Sequence, residues 1–190
     1  FLSTGKIVTT HGRHPDSHQF FSADGYEILR TVPIVVLVNG NSASASEIVA
    51  AALQDDNRAL VVGSVTYGKG TVQTVLSLPN EGELTLTWAR FHAPSGYPLH
   101  LRGVLPDVCT SGSRSLDGVL AKIAQGRLPY AQTLRQATVD DRDKGAVDAF
   151  KANCPAVETE EALDLDVALR LIEDNGLYAR LRESQAAAAE

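Results

Sequence analysis

Methionine is absent from the 190 residues, tryptophan occurs once, and aromatic residues make up only 6% of the chain. A chain without methionine is not an untouched translation product, so we expect a processed or excised part of a longer protein. No apolar run approaches the roughly 18 residues a membrane helix needs, and no signal peptide is visible, so no transmembrane segment is expected here. Basic residues are in deficit, 17 Lys and Arg against 23 Asp and Glu for a net charge of −6. With aromatics also scarce, this balance argues against a nucleic-acid partner. What is present, 44% hydrophobic and 21% charged residues, is the composition of an ordinary globular domain. The length suffices for one substantial core with an extension. Internal repeats are absent as well.

Chemistry is visible in one stretch, Val35 to Gln73. Val35 to Val38 reads as a buried strand and Asn39-Gly40-Asn41 as the turn that ends it. Ser44 then opens a helix running to about Asp55, with Glu47 at the spacing of a capping box. A second apolar strand, Leu60 to Val62, leads into Gly63-Ser-Val-Thr-Tyr-Gly-Lys69-Gly70, so Ser44 and Lys69 are expected at one sheet edge. A serine at a helix N-terminus suits a nucleophile, because free N–H groups and the positive dipole end stabilise developing negative charge. It still needs a base. A lysine serves only as the neutral amine, which requires burial to lower its pKa from about 10 towards about 7 or 8. Gln73 could hold that amine by a neutral hydrogen bond, whereas a carboxylate would keep it charged.

Blander readings compete at each of these positions. A serine at a helix start is ordinarily a cap, and a lysine between glycines is ordinarily a solvated loop residue. Their joint placement after two core strands, where open sheets carry their sites, favours chemistry. Gly63 to Lys69 also fits the first seven positions of a phosphate-binding P-loop. The eighth position is Gly70 rather than Ser or Thr, and a strand-like run follows where a helix is needed, so nucleotide binding is disfavoured. His11, His14 and His18 with Asp16 occupy a loop containing Gly12 and Pro15, which reads as solvated rather than as a zinc site. A Ser-His-Asp arrangement with His92 or His100 serving Ser44 stays open, because spatial partners do not follow sequence order.

Elsewhere, Lys6 to Thr10 and Gln19 to Ser22 read as strands, and with Tyr26 to Leu29 beyond Asp24-Gly25 they suggest a β-hairpin excursion. Val72 to Leu78 and Glu83 to Phe91 make a second hairpin whose alternation breaks near Trp88. From Ser115 the pattern is helical: Leu116 to Ile123, Tyr130 to Ala137, Asp143 to Ala152, Glu160 to Ile172 and Leu177 to Glu183. Leu163, Val167, Leu171 and Ile172 are expected to form one apolar stripe. Asp140 to Lys144 reads as a solvated linker and Ala186 to Ala189 as a frayed tail.

The runs Asn41-Ser-Ala-Ser-Ala-Ser-Glu-Ile48, Ala52-Leu-Gln-Asp55, Arg58-Ala59 and Thr66-Tyr-Gly-Lys-Gly-Thr-Val-Gln73 resemble the core of the C-terminal processing peptidases, or tail-specific proteases. The resemblance continues through Gly96 to Leu99 and Gly103 to Asp107, covering roughly residues 6–108. It implies an α/β fold, a crotonase/Clp-protease-like sheet with packed helices in residues 1–110, followed by a helical extension in 111–190. It further implies Ser44 as nucleophile, Lys69 as general base, Gln73 as the third member and the Ala45 N–H as half of the oxyanion hole. No metal or organic cofactor is required by such chemistry. The implied partner is an unfolded or C-terminally exposed polypeptide in the periplasm or cell envelope, with an adaptor or self-association also allowed. A structural or binding module that keeps the peptidase core without turnover is the rival reading. The even cysteine count and an oxidising periplasm favour a Cys109-Cys154 disulfide over two buried thiols. In the family the second oxyanion donor lies in an upstream Gly-Gly segment, after a PDZ domain. We therefore expect these 190 residues alone to be feebly active.

Overall fold

The computed structural model describes residues 1–126, 134, 137, 139–157 and 161–187. Its strands are β1 (Lys6–Gly12), β2 (Gln19–Ser22), β3 (Val35–Val38), β4 (Leu60–Gly63), β5 (Thr71–Ser77), β6 (Glu83–His92) and β7 (Val108–Cys109). The helices are α1 (Ala45–Asp55), α2 (Leu116–Ala124), α3 (Lys144–Lys151), α4 (Glu161–Glu173) and α5 (Asn175–Ala187). The protein is thus a mixed α/β structure.

A parallel sheet in the order β3-β4-β7 forms the centre. Alternation along β4 divides its side chains between two cores. Leu60 and Val62 pack with Val108, Val119, Val167 and Leu171, whereas Val61 packs with Val38, Ala50, Leu99 and Val104. Helices therefore cover one face of the sheet, and α1 with the loop after β6 covers the other. Burial on both faces of β4 explains why that strand reads as a continuous apolar run, whereas Leu37 on the edge strand β3 is exposed.

Helix α1 is rich in alanine, the strongest helix former, and its end is sharply defined. Asn57 takes the left-handed conformation at φ 52°. The Arg58 N–H donates to the Leu53 carbonyl at 2.8 Å and the Asn57 N–H to Gln54 at 3.0 Å, which closes a Schellman motif.

An antiparallel sheet in the order β2-β1-β6-β5 lies beside this core. The β5-β6 register runs from Val72 opposite Ala89 to Gln73 opposite Thr87, passing over Trp88. This bulge sits where the sequence alternation fails. Tyr26 to Leu29 form no strand, contrary to expectation. Tyr26 and Ile28 are exposed, and the segment is held by Arg58, whose guanidinium bonds Glu27 at 2.5 Å, the Val32 carbonyl at 3.1 Å and the Leu29 carbonyl.

Helices α2, α4 and α5 contribute Val119, Leu163, Val167, Leu171, Tyr178 and Leu181 to the core beside β4. Ile172, expected on that stripe, is exposed, because one residue beyond Leu171 turns a side chain about 100° around the helix. Helix α5 is longer than the sequence pattern suggested. The expected helix from Tyr130 to Ala137 lies outside the described residues except Leu134 and Ala137. Within the acidic linker, Asp143 caps α3 by accepting from Gly145 and Ala146, and Asp141 pairs with Arg90.

Cys109 and Cys154 are joined at 2.09 Å between sulfurs, across a sequence separation of 45. On the chain-entropy account a loop of this size stabilises the fold by about 4 kcal/mol. It fixes the turn after α3 to the end of the central sheet.

Three imidazoles stack where β1 meets β6: His11 lies 4.4 Å from His92 and 5.1 Å from His18, between ring centroids. Burial, and then the neighbouring His11, hold His92 below the usual histidine range; burial and Arg90 lower His100. A lowered folded-state pKa means that the unfolded chain binds protons first as pH falls. The contribution of these rings is complete above about pH 6.5 and is lost as pH falls through their folded values. Thermal unfolding should show a midpoint that drops between about pH 7.5 and about pH 5.5. His92→Asn should flatten that dependence.

Candidate active site

The turn from β3 into α1 places Ser44 in an unusual conformation, φ 59° and ψ −119°. Non-glycine residues avoid this region at a cost of about 1–3 kcal/mol. The same geometry recurs at strained strand-to-helix turns that present a nucleophile. Ser44 and Glu47 stand in the arrangement of a capping box at the start of α1. The Ser44 N–H donates to Glu47 Oε2 at 2.9 Å, and its carbonyl accepts from the Glu47 and Ile48 N–H groups at 3.0 and 3.1 Å. Ala45 is the first helical residue, so its N–H has no carbonyl of its own helix to pair with.

Glu47 is fully buried, and its carboxylate does more than complete a capping box. Oε1 accepts from the Thr66 hydroxyl and from the Gly68 N–H at 2.7 Å, and Oε2 accepts from the N–H groups of Ser44 and Lys69, each at 2.9 Å. One carboxylate therefore grips the backbone of both residues singled out in the sequence. The spacing to Ser44 pointed to Glu47 only as a cap; its bonds to Thr66, Gly68 and Lys69 are long-range and left no local signal. A further tie joins the two loops, from the Tyr67 N–H to the Ser42 carbonyl at 3.0 Å.

The glycines flanking Lys69 answer to packing. A Cβ on Gly70 would lie 2.2 Å from the His100 nitrogen, and one on Gly68 would lie 2.8 Å from the Leu101 carbonyl carbon. Gly68 also has φ +90°. The Leu101 N–H donates to the Gly68 carbonyl at 2.9 Å, so the loop from Leu99 to Leu101 lies directly on the Gly-Lys-Gly backbone.

The side chains are arranged differently from the backbones. Lys69 is exposed and Gln73 donates to Thr87 Oγ1 at 2.9 Å. Among the described residues, no hydrogen bond links the Ser44 hydroxyl, the Lys69 amine and the Gln73 amide. His92, weighed as another base, is engaged in the histidine stack, and His100 lies against Gly70 through its backbone. Among the described residues no group of three or more His, Cys, Asp or Glu could hold a metal ion. Among the described residues no helix is long and apolar enough to cross a membrane. The site can present a strained serine hydroxyl beside a helix N-terminus and a lysine from a loop fixed to it.

Among known families, residues 1–110 match Peptidase family S41. The carboxy-terminal-processing protease of Bartonella bacilliformis is 46% identical over 108 residues, which is 57% of this chain and 25% of that protein. The carboxyl-terminal-processing protease of Synechocystis is 40% identical over 107 residues, 56% of this chain and 25% of its own. A solved structure, the photosystem II D1 C-terminal processing protease, superposes with a TM-score of 0.54 at 37% identity, covering 64% of this chain and 32% of that one. The chain spans about 25% of the length of these curated relatives.

Gly70→Ala should destabilise the protein by more than about 2 kcal/mol in urea unfolding, since backbone rather than a flexible side-chain end blocks the added methyl. Gly25→Ala, with nothing within 4 Å of the new carbon, is the control and should stay within about 0.5 kcal/mol of the parent.

Proposed function

Because the chain belongs to peptidase family S41, we propose that it carries the catalytic centre of a serine endopeptidase of the Ser-Lys type acting on unfolded or C-terminally exposed polypeptides. The observation that carries this reading is the shared Glu47 oxygen, which ties the Ser44 turn to the Lys69 loop. Ser44 Oγ attacks the peptide carbonyl while the neutral Lys69 amine takes its proton. Lys69 then returns that proton to the leaving amine, and water, deprotonated by the same lysine, releases the acyl group. The Ala45 N–H supports the oxyanion, and Gln73 orients Lys69 once it leaves Thr87 and the amine turns inward. No metal or organic cofactor takes part. The crotonase/Clp-like architecture of residues 1–110 and the division from a helical extension at 111–190 belong to this proposal. So does a periplasmic or cell-envelope location, supported by the Cys109-Cys154 disulfide, since such bonds persist in oxidising compartments.

One observation favours a second reading, a binding module that keeps the core without turnover: the Lys69 side chain is exposed and Gln73 is paired elsewhere. Assays on an unfolded polypeptide separate the two readings. Ser44→Ala and Lys69→Ala should each reduce turnover by at least about a thousandfold while unfolding midpoints stay within about 3 °C. A chain extended upstream to supply a second oxyanion donor should exceed these 190 residues by about a hundredfold or more. Full activity in folded Lys69→Ala would remove the lysine from the mechanism.

A further inference from the structure

The family match ends at residue 110, yet the segment from Lys151 to Ala156 lies against both loops of the site. The Lys151 ammonium donates to the Tyr67 carbonyl at 2.8 Å. The Val65 N–H donates to the Cys154 carbonyl at 3.0 Å, and Cys154 Sγ lies 3.4 Å from the Gly63 carbonyl. On the nucleophile side, a Cβ on Gly40 would come within 2.7 Å of the Ala156 methyl. A cavity of about 440 Å³ separates the two sides, lined by Gly40, Thr66, Tyr67, Lys151, Pro155 and Ala156 among others. This segment is itself immobilised, by α3 before it and by the Cys109-Cys154 bond within it.

Tyr67 stands at a junction of the candidate site. Its N–H goes to Ser42 and its carbonyl to Lys151, while the next two N–H groups go to Glu47. Every one of these peptide groups is thus spoken for, and among the described residues Lys151 is the hydrogen-bond tie to Tyr67–Lys69 that comes from outside residues 1–110, next to the Cys154 tie to Val65. Burial draws the Lys151 ammonium below the usual lysine range, and the carboxylates of Glu47 and Asp148 pull it back up. A half-buried lysine whose charge rests on a loop carbonyl is more than a solvated surface residue.

We propose that Lys151 is a positioning residue for the Tyr67–Lys69 backbone, through which the helical segment beyond the family match sets the register of the lysine loop against the Ser44 turn. The proposal rests on the Ser44-Lys69 reading for its catalytic meaning, but its primary readout requires no turnover. Amide hydrogen exchange is measured on the 190-residue chain, its Lys151→Met variant, which keeps an unbranched side chain without the donor, and Lys151→Arg. In Lys151→Met the amides of Tyr67, Gly68 and Lys69 should exchange roughly fivefold to tenfold faster, as expected for loss of one hydrogen bond. Those of Val61 and Val62 in β4 should be unchanged, and Lys151→Arg should restore protection. Lys151→Ala, which also lacks the donor, repeats the measurement if the methionine variant does not fold. Where turnover is measurable, kcat should fall with KM unchanged in Lys151→Met and recover in Lys151→Arg. Unchanged exchange at Tyr67–Lys69, or equal acceleration in β4, would overturn the proposal. Loss of the Ser44-Lys69 reading would appear instead as undiminished activity in Ser44→Ala, with the exchange result intact.

Discussion

A fully buried carboxylate with four hydrogen-bond donors on its two oxygens is the constraint around which the candidate site is built. A buried charge without partners is costly, so Glu47 is tolerated only while Ser44, Thr66, Gly68 and Lys69 all remain in place. Bonds to a charged acceptor contribute about 1.5–3 kcal/mol each, and these four use the full acceptor capacity of a carboxylate. Thr66 extends the reach of the group, because its oxygen also accepts from the Val104 N–H at 2.7 Å. Helix start, lysine loop and the long connection to β7 consequently meet at one side chain.

That convergence accounts for the strain at Ser44. A positive φ at a serine persists when its surroundings leave no alternative, and here its N–H and carbonyl are both fixed by the first turn of α1. The close approaches at Gly68 and Gly70 act in the same direction, pressing the lysine loop onto the backbone from Leu99 to Leu101. The backbone of the site is thus tightly determined while the Lys69 side chain stays in solvent. Catalysis in the proposed mechanism asks for rotation of that side chain and of Gln73, with no rearrangement of the fold beneath them.

Local patterns made much of this visible in the sequence. The apolar runs of β3 and β4, the hydroxyl start of α1 and the hairpin of β5 and β6 follow from composition and period, and the broken alternation near Trp88 coincides with the bulge. Tyr26 to Leu29 misled because apolar residues beside a turn suggest a strand, whereas Arg58, distant in sequence, holds that segment in another form. Ile172 misled because it adjoins a buried position on the helix. The larger omission was the role of Glu47. Its spacing to Ser44 is a local signal, but three of its four donors come from 19 to 22 residues downstream, where only the folded chain brings them within reach. Lys151 carries no local signal for the same reason, its acceptor lying 84 residues upstream.

The claim that Glu47 joins the serine turn to the lysine loop is tested most directly by the amide proton resonances of Ser44, Gly68 and Lys69 in the parent protein and in Glu47→Gln. Hydrogen bonds to a carboxylate deshield the donor proton more than bonds to a neutral amide, so all three resonances should move upfield together in the variant. A shift at Ser44 with Gly68 and Lys69 unmoved would reduce Glu47 to an ordinary helix cap and contradict the account.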